Sequence, residues 1–260
     1  MDALPPLADF GADLLQVPSW RRVLNLATPF AFAAAFFVFG ARGWWLAALA
    51  CTVALSFVTY GSISHDLVHR TLGLPRWLNE ILLSAIELLA FRSGHAYRVT
   101  HLHHHAHFPA HDDLEGAAAS MPLWRAALDG ITLQPRLYRF ALHKSHGRAW
   151  IIGEGIAIAA MLAASATSPA TAAYAILMIA GSWIFPIVTA YAPHDASASS
   201  ELTQTRLYRG TFLKILALDH FYHLEHHLYP QVPHQRWPEL ARRLDPFFAR
   251  AGLRAITLWF

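Results

Sequence analysis

Charged side chains are scarce in this sequence. Aspartate, glutamate, lysine and arginine make up 14% of its 260 residues, whereas soluble domains average about 25%. Apolar residues make up 55%, and the mean hydropathy is positive at +0.31. This composition indicates a membrane protein. The net charge is +3, but the basic residues are scattered among apolar runs instead of forming one basic face, so no nucleic-acid partner is expected.

Cysteine is almost absent as well. Cys51 is the only one and lies in an apolar run, which excludes a disulfide framework and a cysteine-based zinc site. A secretory leader is also lacking, because residues 1–20 contain Asp2, Asp9 and Asp13 in place of a basic start followed by an apolar core. We therefore expect no cleaved signal, and any bound metal must rely on histidine.

Long runs without charge are the most extended feature of the chain. Residues 23–41 and 43–64 form two such runs, and residues 155–193 form a third. A bilayer core requires about 20 helical residues, so the first two runs each suffice for one crossing. The third suffices for two, with a turn before Pro169. The sequence predicts an all-α integral membrane protein with four transmembrane helices in two hairpins, as a single domain over 1–260.

The segments between these runs carry the polar residues. Residues 77–91 are apolar but short and contain Glu80 and Glu87, which predicts a helix lying in the membrane interface. Residues 101–147 contain three prolines and predict loops and short helices. Four crossings place both termini and residues 65–148 on one side. Most basic residues fall on that side, so the positive-inside rule predicts that it is a cytoplasmic helical cap.

Histidine is unusually abundant, with seventeen residues. Neutral imidazole is a common metal ligand, and spacings of three and four residues put successive rings on one helical face. Three clusters have this spacing, and one more histidine directly follows the last apolar run. The candidate metal ligands are His65 and His69; His101, His104 and His105; His194; and His223, His226 and His227.

Nine imidazoles exceed the needs of one ion, because zinc sites, for example, are usually four-coordinate. The sequence therefore predicts two metal ions. Ligand type leaves iron, zinc, copper and nickel open. An alternative register of the second cluster would use His101, His103 and His104, but we favour the spacing that includes His105.

Other polar residues near the clusters have less specific interpretations. Four carboxylates beside the clusters could each accept the second ring hydrogen of a metal ligand, or could be solvated surface groups. They are Asp66, Asp195, Asp219 and Glu225. Of the four, Glu225 is expected to point away from the cluster. Isolated histidines are expected to be surface or hydrogen-bonded residues, namely His95, His143, His146, His220 and His234. Glu154, near the start of the third crossing, is expected to reach water.

The three clusters, in this order around two apolar hairpins, resemble the three histidine boxes of membrane-bound fatty acid desaturases and their relatives, the membrane hydroxylases and the carotenoid hydroxylases and ketolases. The third box continues to Pro230. The resemblance implies a non-haem di-iron centre that uses dioxygen and two electrons to attack a carbon–hydrogen bond of a lipid chain. It also implies that His194 binds metal, although Ala190 stands where some members place an asparagine.

The expected function is desaturation of a fatty acyl chain taken from the membrane. Hydroxylation or ketolation of a carotenoid ring, or hydroxylation of another lipid, is the alternative, because the chain is short for an acyl desaturase. No fused electron carrier is expected, so electrons would come from a separate ferredoxin-like or similar reductase system. A metal transporter is the rival from another class, but its ligands would lie at mid-membrane, where these runs are apolar.

Overall fold

The computed structural model describes residues 3–144, 147–210 and 220–257. The described residues are mainly helical, so the all-α prediction is confirmed. Their one strand pair is short, with β1 (Tyr208–Arg209) parallel to β2 (Ile256–Thr257). The α-helices are α1 Ser19–Ala41, α2 Trp45–Val58, α3 Ser64–His69, α4 Arg76–Leu88, α5 Gly94–His107, α6 Leu123–Lys144, α7 Arg148–Ser165, α8 Pro169–Gly181, α9 His223–Leu228 and α10 Trp237–Arg250.

Four helical stretches of the described residues are long and apolar enough to cross a membrane, as predicted. They are Ala12–Ala41, Trp45–His69, Arg148–Ser165 and Pro169–Tyr191. Two of them contain a π-helical segment near the carboxyl end. Thr59–Ile63 joins α2 to α3, and Pro186–Tyr191 ends the fourth stretch. Candidate ligands follow both segments directly.

The membrane-spanning stretches pack through small and aromatic side chains. Helix α8 contacts both α1 and α2, and Phe36, Leu55, Tyr174 and Met178 form their shared core. Large apolar side chains on the opposite faces are exposed, among them Leu46 and Ile176. An exposed apolar surface of this kind suits contact with lipid, because no other element in the described part of the chain covers it.

Helix α4 coincides with the predicted interfacial helix, but its two glutamates are used inside the protein. Glu87 is fully buried and pairs with Arg92 at 2.7 Å. Glu80 pairs with Arg70 at 3.1 Å and also contacts Arg98. Helix α4 packs against α3 and α5, so its polar face is directed at those neighbours. Its position in the membrane interface stays a prediction.

The prediction of short helices for residues 101–147 was wrong for α6, which continues for 22 residues through Pro135. Proline inside a helix removes one hydrogen bond and costs about 3 kcal/mol or more. Tertiary packing offsets that cost here, because Ala126, Leu133, Leu137 and Ala141 lie on one buried face. Helix α5 and helix α7 both contact α6.

Glu154 does not reach water as expected, because only 3% of it is exposed. Its carboxylate accepts hydrogen bonds from Ser93 Oγ at 2.5 Å and from the backbone N–H of His95 at 3.2 Å, and it contacts His95 Nδ1 at 2.8 Å. The other ring nitrogen of His95 contacts Glu80 at 2.9 Å. A buried charge must be paired, and the packing of α7 on α4 and α5 supplies the partners.

The carboxyl-terminal part covers the histidine clusters. Helix α10 buries Trp237, Leu240, Leu244 and Phe248 in a core that also contains Leu14 from the amino-terminal segment. The backbone N–H of His234 donates to Asp66 Oδ1 at 2.9 Å, and its ring Nδ1 contacts Oδ2 at 2.6 Å. This contact joins α10 to the helix that carries His65 and His69.

Glycine at position 130 allows α6 to approach the fourth membrane stretch. A methyl group added there would lie 1.8 Å from the carbonyl oxygen of Trp183, whereas a methyl group at Gly153 on α7 would have no neighbour within 4 Å. We expect Gly130→Ala to destabilise the protein by about 1–3 kcal/mol through overpacking. Gly153→Ala should be neutral or stabilising by up to about 1 kcal/mol.

Thermal unfolding of both variants in detergent measures this difference. Equal midpoints for the two variants would show that α6 does not depend on its contact with Trp183.

Candidate metal centre

Helix α5 carries the second histidine cluster and is fixed closely to α4. Ser93 Oγ caps its amino terminus by accepting from the N–H of Ala96 at 3.0 Å. A methyl group at Gly94 would lie 2.7 Å from the carbonyl oxygen of Leu83, so only glycine permits this approach. The helix then presents His101, His104 and His105 over its last two turns.

Five histidines form the first group. They are His65, His69, His101, His105 and His226, and each offers one ring nitrogen within 4.8 Å of the others. The Nε2 atom of His65 lies 3.0 Å from those of His101 and His226. The Nε2 atom of His105 lies 3.1 Å from that of His101 and 2.7 Å from that of His226.

Four histidines form the second group, which consists of His104, His194, His223 and His227. The Nε2 atom of His194 lies 3.1 Å from that of His104 and 3.2 Å from those of His223 and His227. The two groups adjoin, since the ring centroids of His105 and His227 are 4.4 Å apart. All nine histidines singled out in the sequence are thus brought together.

Each His-x-x-His-His helix contributes to both groups. On α5, His101 and His105 face the first group and His104 faces the second. On α9 the assignment is reversed, because His223 and His227 face the second group and His226 faces the first. On each helix, the first and last histidines of the His-x-x-His-His motif are four residues apart and lie on nearly the same side, whereas the middle histidine is rotated relative to them. Both helices therefore border both groups.

The second group places lone pairs opposite one another. Burial alone would raise the pKa of Asp113, but the hydrogen bond from His104 holds this pKa below its usual value. Asp113 is therefore ionised and accepts a hydrogen bond from His104 Nδ1–H at 2.7 Å. The carbonyl of Ala190, which can only accept, lies 3.2 Å from His194 Nδ1. If each Nδ1 carries the hydrogen, the Nε2 atoms of both rings bear lone pairs directed at each other.

Such an arrangement suits a cation. A single proton can bridge one pair of imidazoles, but a metal ion accepts the lone pairs of a whole group. Burial and neighbouring histidines also hold the pKa values of His105, His226 and His227 well below the usual range. These rings are neutral at pH 7 and available as ligands. The nine residues therefore fit a pair of metal ions.

Two carboxylates that contact candidate ligands were missed in the sequence. They are Asp113, described above, and Glu115, whose Oε1 lies 2.7 Å from His101 Nδ1. Burial raises the pKa of Glu115 to about 8. Both residues belong to the segment between α5 and α6, where the sequence shows no spacing that would mark them as partners of particular rings.

The carboxylates proposed from the sequence have other partners. Asp66 holds His234 instead of a ligand, and Asp195 accepts from Ser197 N–H at 3.0 Å and from its hydroxyl at 2.6 Å. Glu225 points away, as expected, and pairs with Arg209 at 2.7 Å. Asp219 lies outside the described residues. Adjacency in sequence was a poor guide because neighbouring helical residues face different directions.

The remaining histidines also have defined places. His103 stacks on His107 with a centroid distance of 3.8 Å and belongs to neither group, in agreement with the register that uses His105. His220 is half-buried beside Ser62, at 3.3 Å from its hydroxyl, and desolvation lowers its pKa to about 4. His143 contacts the carbonyl of Arg139 at 2.7 Å, and His146 lies outside the described residues.

Residues 42–259 match the family model for fatty acid desaturases. The chain belongs to the fatty acid desaturase family. No curated protein sequence matches it significantly. Members of this desaturase family are oxidoreductases of the lipid desaturase and hydroxylase type, and the family is known for di-iron centres. The two adjoining histidine groups provide the kind of ligand set that such a centre requires.

Because α5 and α9 each contribute histidines to both groups, a double substitution can remove ligands from one group only or from both. His104→Ala with His227→Ala removes two ligands of the second group only, so about half of the bound metal should remain. His104→Ala with His105→Ala removes a ligand from each group and should lower both. Metal content of the purified proteins by elemental analysis distinguishes the pairs, and equal losses would contradict two separate groups.

The contact between Asp113 and His104 predicts a second-sphere effect on affinity. Asp113→Asn removes the charge that orients His104, and loss of such a partner typically weakens metal affinity by about 10–100-fold. Asp112→Asn is the matched control, because the Asp112 side chain is half exposed. Competition with a chelator gives the apparent Kd for each variant. Similar values for both would rule out this role for Asp113.

Proposed function

We propose that this member of the desaturase family uses two iron ions and dioxygen to introduce a double bond into a lipid acyl chain. The observation that carries the proposal is the pair of adjoining all-histidine groups at the ends of the second and fourth membrane-spanning stretches. A lipid chain leaving the bilayer there would meet the centre without passing through water.

The first group would hold one iron ion and the second group the other. When bound, the irons would supply the oxidising power to remove hydrogen from an unactivated carbon–hydrogen bond. Desaturation of a –CH2–CH2– unit consumes one dioxygen, two electrons and two protons, and releases two waters. Within the protein, Asp113 and the carbonyl of Ala190 fix the orientation of His104 and His194, so that their Nε2 atoms stay directed at the metal.

Large side chains shield the centre from water. The Trp237 ring lies 5.2 Å from that of His65 and 5.0 Å from that of His226, measured between centroids. On the second group, the Phe108 ring lies 4.6 Å from that of His194. A dry site strengthens the electrostatic interactions inside it and keeps a reactive oxidant from attacking solvent.

A cavity of about 570 Å³ lies beside the centre and suits an apolar substrate. Helices α5, α6 and α7 line it, with Leu137, Ile156 and Ala159 among the apolar side chains. This volume falls within the usual range for ligand pockets. Because Ile156 is largely exposed on a membrane-spanning helix, the cavity is accessible from the lipid side, as a substrate taken from the bilayer requires.

Metal transport is a weaker explanation of the same histidines. Transporters place ligands within the membrane-spanning stretches. Here the carboxylate of Glu154, which lies inside the third stretch, is already occupied by hydroxyl groups and His95. The two groups instead lie at the end of the second stretch and beyond the fourth, away from the middle of any span.

We place the histidine groups on the cytoplasmic side, because Arg70, Arg76, Arg92 and Arg98 lie on the same side of the second crossing as the clusters. Electrons would then come from a separate cytoplasmic donor of the ferredoxin or reductase type. A reporter enzyme that is active only outside the cytoplasm, fused after the last residue, should be inactive.

The function is tested by expressing the protein in a host supplied with iron and profiling membrane fatty acids by mass spectrometry. We expect new double bonds with the native protein. They should be absent with the His104→Ala, His105→Ala variant and present with His107→Ala, an exposed histidine on the same helix.

An unchanged acyl profile from a protein that contains iron would refute acyl desaturation. Hydroxylated acyl chains, or oxidised rings in a host that makes carotenoids, would then assign the chain to the hydroxylase or ketolase branch of the same chemistry.

A further inference from the structure

Two cavities of very different size lie next to each other in this protein. The large one, of about 570 Å³, is described above. The small one, of about 30 Å³, touches His65, His101 and His223 and therefore reaches both histidine groups. About 10–15 Å³ is enough for one water molecule, so the small cavity accommodates a molecule of the size of water or dioxygen. While the two cavities are separate, the small one does not fit a lipid chain of several methylene groups.

Tyr60 and Tyr97 line both cavities. Their rings are stacked, with centroids 4.5 Å apart and planes inclined by 18°, and both side chains are buried. A lipid in the large cavity would meet this pair before it met a metal ligand. The separation between substrate space and metal space thus consists of two aromatic side chains.

The hydrogen bonds of the pair are unequal. The Tyr97 hydroxyl donates to the backbone carbonyl of Tyr60 at 2.8 Å, whereas the Tyr60 hydroxyl lies 3.5 Å from Glu115, at the limit of a hydrogen bond. Tyr60 also belongs to the π-helical segment Thr59–Ile63, and such segments are frequent at functional sites. Tyr97 therefore secures the backbone that carries Tyr60, while the Tyr60 ring itself is held mainly by stacking.

The opposite face of the Tyr60 ring is also covered. Phe185 stacks on it with a centroid distance of 4.2 Å. The Arg92 guanidinium lies 4.7 Å from the Phe185 ring and 5.3 Å from the Tyr60 ring. Motion of the Tyr60 ring toward Phe185 is blocked by this packing, so the two tyrosine rings can separate only if the Tyr97 ring moves.

We propose that Tyr60 and Tyr97 form a partition that determines which carbon of the lipid reaches the metals. The proposal rests on the lipid oxidation proposed above. A chain lodged in the large cavity stops at the stacked rings, and only the segment that lies against them enters the small cavity when they separate. The size and attachment of the two rings then set the position of attack, as a specificity-determining pair.

Photo-crosslinking tests the partition without requiring turnover. The probe is a long-chain fatty acid with a diazirine near mid-chain, incorporated in detergent micelles and mapped by mass spectrometry. In the native protein, labels should concentrate on the α6 and α7 residues of the large cavity. Tyr60→Ala should increase several-fold the labelling of peptides that contain His101 or His223. Equal labelling of these peptides in both proteins would overturn the proposal.

Tyr97→Phe provides a second variant that retains the ring. It removes only the hydrogen bond to the Tyr60 carbonyl, so it should raise the same labelling to a smaller extent. Tyr174→Phe is the matched control, because its hydroxyl also donates to a backbone carbonyl, that of Leu89, at 2.8 Å, yet it lines neither cavity. An equal effect of Tyr97→Phe and Tyr174→Phe would contradict the proposal.

The products give a second readout. Tyr60→Ala should shift the position of the new double bond or hydroxyl along the chain, whereas Tyr174→Phe should leave it unchanged. An unshifted position in Tyr60→Ala would refute the specificity role even where the protein is active. Absence of any oxidised lipid from the native protein would refute the proposed function instead, and the crosslinking result would still decide whether the partition exists.

Discussion

The main constraint on this fold is that lone pairs of imidazole nitrogens in the two histidine groups are directed at one another. Helices α3, α5 and α9 and the loop after the fourth membrane stretch bring nine imidazoles into two adjoining groups, and eight of them have an Nε2 atom within 3.2 Å of that of a neighbouring ring. Hydrogen bonds among neutral rings satisfy only some of these nitrogens, because each ring has one hydrogen to donate. A bound metal ion would therefore contribute directly to the folding free energy, since the unfolded chain offers no comparable site. Apolar packing brings the helices together, and a cation between the rings would remove the repulsion among their lone pairs.

The outer contacts of the centre connect it to several other parts of the fold. Asp113 and Glu115 lie in the segment between α5 and α6, Ala190 ends the fourth membrane stretch, and Asp66 links α3 to the carboxyl-terminal cap through His234. Each of these contacts holds a ring or a helix in place on its side away from the histidine groups. The centre therefore joins four parts of the chain that are far apart in sequence, and none of them could shift without turning a ligand away.

Local patterns in the sequence were sufficient for the four apolar stretches and for the eight histidines of the three clusters, because uncharged length and spacings of three and four residues are properties of single helices. His194 was singled out by its place after the last apolar run and by the family resemblance. Tertiary contacts were not accessible in the same way. Asp113 and Glu115 contact particular rings only because of the loop that follows α5. Glu154 is buried because α7 packs on α4 and α5, and α6 passes through Pro135 because its neighbours cover one face.

The π-helical segments affect the rotational phase of the ligands. Each residue of an α-helix advances by about 100°, and a π turn accommodates one residue more than an α turn. If Thr59–Ile63 were regular α-helix over the same residues, the second stretch would stay apolar and long enough to span, yet His65 and His69 would be rotated by about a quarter turn from their present direction. The direction of the candidate ligands therefore depends on the widened turn, and an average of hydropathy along the stretch does not detect such a turn.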